Sequence, residues 1–65
     1  MNEEAISTLQ EDHKEFSDKI DMNSADISTN AEAVKENKEG VEANSMAIMT
    51  NSDAIDKNAQ DISNN

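Results

Sequence analysis

Counting in sevens from Ile6 constrains this chain more than any other feature. The series reads Ile6, His13, Ile20, Ile27, Val34, Val41, Ile48, Ile55, Ile62, and it contains every Ile and every Val present. Three residues further on, the same count reads Leu9, Phe16, Asn23, Asn30, Asn37, Asn44, Asn51, Asn58, Asn65. The only Leu and the only Phe stand there, followed by an unbroken run of Asn. A spacing of three then four, held over nine cycles, is a heptad repeat with Ile or Val at a and Leu, Phe or Asn at d. Positions a and d share one face of an α-helix, because side chains three and four apart are neighbours. The 3.5-residue period imposes a left-handed supercoil on partner helices. The chain has no Pro to interrupt it. At ~1.5 Å per residue, the whole would make a rod of roughly 90–100 Å.

Composition says why such a helix needs partners. Leu, Ile, Val and Phe amount to ten of 65 residues, and the net charge is −10. That is too little apolar material for a lone core, and it fits either an acidic disordered segment or a helix that buries one stripe against copies of itself. The heptad phase favours the second. Cys is absent, which excludes disulfide scaffolds and Cys-based zinc sites. A pI near 4.1 argues against a nucleic-acid partner, because a phosphate backbone repels the chain. No apolar run approaches the roughly 18 residues of a membrane span, and no signal-peptide pattern is present. Neither observation fixes location, since Met1 is compatible with an excised piece of a longer protein.

The remaining heptad positions agree. Position f reads Glu4, Glu11, Asp18, Ala25, Glu32, Glu39, Met46, Asp53, Gln60, a mostly acidic, solvated face. Glu15–Lys19 and Asp53–Lys57 are pairs four apart in the favourable order, and Lys14–Asp18, Lys35–Glu39 and Lys38–Glu42 are reversed. Positions e and g are mostly small or polar, so helices can approach closely but find few interhelical ion pairs. Gly40, at g, costs the helix about 1 kcal/mol relative to Ala. Residues 1–22 form a segment with apolar d layers at Leu9 and Phe16. Residues 23–65 form the stretch with Asn at d.

A buried amide is costly unless both its donor and its acceptor are satisfied. Three helices around an axis bring three carboxamides together, and their NH2 groups can converge on one acceptor, a water or an anion. The β-branched a layers then supply dry packing between polar layers. The expected fold is all-α: one long helix per chain in a parallel, left-handed homotrimeric coiled coil. The expected partners are two identical chains.

These residues resemble a known family. Ile20-Asp21-Met22-Asn23, Ile27-Ser28-Thr29-Asn30, Val34-Lys35-Glu36-Asn37, Val41-Glu42-Ala43-Asn44, Ile48-Met49-Thr50-Asn51, Ile55-Asp56-Lys57-Asn58 and Ile62-Ser63-Asn64-Asn65 look like the stalk heptads of trimeric autotransporter adhesins. Those are surface fibres of Gram-negative bacteria. The resemblance covers residues 20–65. It implies a parallel homotrimer with chloride or a similar anion held on the axis by Asn23, Asn30, Asn37, Asn44, Asn51 and Asn58. It also implies a rigid spacer that projects a binding head for cell adhesion from the outer membrane. The family usually has Thr after the Asn, where this chain has Ser24, Ala31, Lys38, Ser45, Ser52 and Ala59. That departure bears on ion occupancy at the Ala and Lys heptads rather than on the trimer. Trimeric tail-needle and tail-fibre shafts of bacteriophages look similar, so a virion tail stays open as the alternative owner.

Three chains would carry about −30, three times the −10 of one. That charge sits on the outer faces, screened beyond ~8–10 Å, and axial amide donors oppose it locally. His13, at a between Leu9 and Phe16, reads either as a pH-responsive or ion-binding layer or, more plainly, as a polar layer satisfied by water. No second His or Cys lies at ligand spacing, so a zinc site would need a three-fold His layer. Met46 and Met49, at f and b, share an outer face. They are the candidate contact for a host receptor or matrix protein, because Met adapts to varied surfaces. Nothing suggests an enzyme: the acidic residues lie on a convex surface, and no nucleophile–base pair, phosphate loop or calcium loop is present.

Overall fold

The computed structural model describes all 65 residues. They form one element, helix α1, Asn2–Asn64. Its hydrogen-bond ladder reaches one residue past each end: the Ala5 amide donates to the Met1 carbonyl at 3.0 Å, and the Asn65 amide donates to the Asp61 carbonyl at 3.1 Å. No peptide bond is cis and no residue has positive φ. The helix is continuous through residues 22 and 23, so the expected change of segment there is one of side chains at d, with no break in the backbone.

The sequence explains why α1 starts well and persists. Glu3 and Glu4 lie in the first turn, where carboxylates meet the partial positive charge of the helix N-terminus. Within Met1–Ala33, two ion pairs bracket the middle of the segment. Lys14 Nζ lies 2.8 Å from Asp18 Oδ2, and Lys19 Nζ lies 2.9 Å from Glu15 Oε1.

Within Val34–Asn65 one pair forms, and it corrects an expectation. Lys57 Nζ sits 2.7 Å from Asp61 Oδ2, four residues on, and not on Asp53, four residues back. Asp61 lies in the last turn, which holds no basic residue. A bare carboxylate there faces the partial negative charge of the helix C-terminus, so the single ammonium gains most by neutralising Asp61. Lys35 and Lys38 are not paired with Glu39 and Glu42. All three observed pairs are well exposed, with side chains 56–78% accessible. Each contributes only about 0.3–0.5 kcal/mol.

No residue is buried. That is the physical meaning of one amphipathic helix in isolation: the stripe exists, but nothing in the chain covers it. No helix is long and apolar enough to cross a membrane.

Gly40 has no local reason to be Gly. Its φ is not positive, and a Cβ built on it meets nothing within 4 Å. Gly40→Ala is therefore expected to stabilise the helix by about 1 kcal/mol per chain, through lower backbone entropy in the unfolded chain. A higher melting temperature by circular dichroism checks this. A lower one would mean that the g position of this heptad lies against another backbone.

Candidate functional site

The most regular stripe on α1 is the a/d face. Ile20, Ile27, Val34, Val41, Ile48 and Ile55 are each 66–68% exposed. This uniformity means that no a residue is sheltered more than its own helix shelters it. Ile6 and Leu9 in the first segment are likewise exposed. The Asn side chains at d make no hydrogen bond within their own helix; the side-chain hydrogen bonds are Lys14–Asp18 and Lys57–Asp61. Asn23, Asn30, Asn37, Asn44, Asn51 and Asn58 thus keep both donors and acceptors available on the face that also carries the Ile and Val.

Magnitudes decide what this face is for. Fully burying an Ile or Val yields about 1.5–3 kcal/mol. With eight of them about two-thirds exposed, covering the a line is worth on the order of 10 kcal/mol per chain. The three surface ion pairs together reach only about 1–1.5 kcal/mol. Burial of the stripe therefore outweighs the surface ion pairs by roughly tenfold.

The period of the stripe limits what can cover it along its length. On a straight α-helix a seven-residue pattern drifts by ~20° per heptad. From Val34 to Ile62 that amounts to about 80°, enough to carry Ile62 off the face Val34 defines. Helices that coil left-handedly about each other cancel the drift and keep the line in the seam.

The flanking positions carry few complementary charges. In a parallel, in-register pairing a g residue faces the e residue of the neighbour's following heptad. Asp12 then meets Ser17, Lys19 meets Ser24, Asp26 meets Ala31, and Ala33 meets Lys38. None is an opposite-charge pair, so the flanks offer little to fix a register in such a pairing.

Met46 and Met49 are 70% and 65% exposed. Those values match the a residues, so exposure does not single this pair out. The surface of the helix has no concave pocket, and no three His, Cys, Asp or Glu side chains of one chain come together. One residue escaped the heptad count that starts at Ile6: Asn2 also stands at d, one heptad before Leu9. Running the same count backward finds it. It makes Leu9 and Phe16 an apolar island between Asn layers. Comparison of the chain with protein-family models, curated proteins and solved structures gives no match.

Because α1 buries nothing by itself, its helicity is expected to depend on chain concentration. Far-ultraviolet circular dichroism on serial dilution should show helix signal and assembly lost together. Full helicity retained in a sedimenting monomer would contradict the coupling.

Proposed function

We propose that this chain is one strand of a parallel, in-register homotrimeric coiled coil that serves as a rigid spacer. It is the kind of spacer found in the stalks of trimeric autotransporter adhesins, standing at a bacterial cell surface and holding a binding head away from the membrane. The observation that carries the reading is the phase of two series on one unbroken helix. Exposed Ile and Val at a alternate with Asn amides at d that make no hydrogen bond within their own helix.

Three is the number the amides favour. Two facing carboxamides satisfy each other only in part. Three place their NH2 groups around one point, where a single acceptor takes all of them. Chloride or a similar anion suits that point at Asn23, Asn30, Asn37, Asn44, Asn51 and Asn58, and water serves where no ion enters. The Ile and Val layers between them exclude solvent and hold the chains together.

The polar layers set register and chain number at a cost in stability. A one-residue slip, or an antiparallel mate, would turn amides against Ile and Val and leave them unsatisfied, at roughly 1–3 kcal/mol per amide. A spacer gains from this trade. It needs one register along its whole length more than it needs the highest melting temperature.

Sedimentation equilibrium is expected to give the mass of three chains. A mass of one, two or four chains would overturn the proposal. Replacing Asn37 and Asn44 together with Ile should raise the melting temperature, since each buried Ile contributes on the order of 1–3 kcal/mol in place of a desolvated amide. The same variant should populate more than one oligomer. A fall in melting temperature, with the trimer retained, would refute this account of the Asn layers.

A further inference from the structure

We propose that His13 forms a transition-metal site on the axis of the assembly, taking one divalent ion of the zinc type from three copies of the chain. The proposal rests on the trimeric reading above. One chain supplies a single ligand, so the site exists only where three meet.

The order of layers sets His13 apart from the Asn layers. From Asn23 onward, each polar layer is separated from the next by a single Ile or Val layer. His13 is instead enclosed by two apolar layers on each side, Ile6 and Leu9 before it and Phe16 and Ile20 after it. It is the polar layer most cut off from water along the axis, and therefore the one that most needs a partner inside the core.

The ligand's chemistry follows from the imidazole. A carboxamide brings both a donor and an acceptor to the axis, so three of them can share a water or an anion. A neutral imidazole has one N–H and one lone pair, and when a carboxylate outside the axis holds the N–H, the nitrogen turned inward brings the lone pair. Three lone pairs converging on one point require an electrophile. Three protonated rings would instead crowd like charges into an apolar box. A divalent ion accepts all three and keeps a fourth, tetrahedral position for solvent or an anion, as in zinc centres held by three histidine ligands.

The surroundings complete it. Asp12 stands at g, and the hole that receives an a residue in a coiled coil is bounded in part by the neighbour's preceding g residue. Each ring's outward N–H thus has a carboxylate from the next chain to receive it. Ligating imidazoles commonly have such a partner. The charges beside His13 are already occupied: Lys14 is held by Asp18 at 2.8 Å and Lys19 by Glu15 at 2.9 Å. Asp12 enters no ion pair, and His13 makes no hydrogen bond or ion pair in its own helix.

The test uses the full chain, stripped of metal with chelator and then titrated with zinc chloride at neutral pH. Mass is followed by sedimentation, melting temperature by circular dichroism, and stoichiometry by calorimetry. Zinc should raise the melting temperature of a three-chain species and saturate at one ion per three chains, while magnesium should not. His13→Ile should keep the trimer and lose the zinc response. Asp12→Asn should keep the response with affinity lowered by about 10–100-fold. Cobalt in place of zinc should give the visible absorption of a tetrahedral centre. A three-chain species whose melting temperature ignores zinc would overturn the site and leave the spacer reading standing. So would a zinc response that survives His13→Ile, which would mark binding by surface carboxylates. A mass other than three chains would overturn both.

Discussion

The dominant physical feature of this molecule is a line of eight Ile and Val that its own helix leaves about two-thirds exposed. A helix of this length has no second element to fold against, and its ion pairs are few and solvated. Conformational entropy opposes ordering such a chain at every residue. Removal of the a line from water is the largest side-chain contribution available, and helices of the same period are the surfaces that match it along its length. The architecture is thus a consequence of scarcity: there is apolar surface for one narrow seam and no more.

The Asn series works against that seam. Amide layers lower the gain from burial, and a sequence selected only for stability would carry Leu or Ile there. Their value lies in what they make unfavourable. Apolar layers slide past one another at little cost, whereas an amide moved out of its layer is left among aliphatic side chains. His13 stands at an a position of the same count, a polar residue in the line otherwise held by Ile and Val. Its placement between Leu9 and Phe16 inverts the pattern, polar at a and apolar at d, without disturbing the seven-residue count.

Most of the helix is legible in the residues alone, for identifiable reasons. The absence of Pro and the unbroken 3.5-residue period leave no place for a second element, and α1 runs from Asn2 to Asn64 accordingly. Which exposed pairs form is less legible. Lys57 has carboxylates four residues away on both sides, and spacing alone favours Asp53. The choice of Asp61 reflects where the helix ends, a property of the whole element rather than of any pair. Gly40 is visible as a weak point, but the sequence does not tell whether its lack of a side chain serves the backbone. The geometry does, since its φ is ordinary and the space around it is open.

The sequence by itself determined the helix, the phase of its stripe and the identity of the layers, because these follow from residue spacing and from side-chain chemistry that acts within a few turns. The folded structure decided which ion pairs close, that every side chain of the stripe remains exposed on a single chain, and that the Asn amides are not used within their own helix. Those outcomes depend on where atoms lie in space: the reach of one ammonium, the accessible area around each Ile and Val, and the lack of any hydrogen-bond partner within reach of the Asn amides.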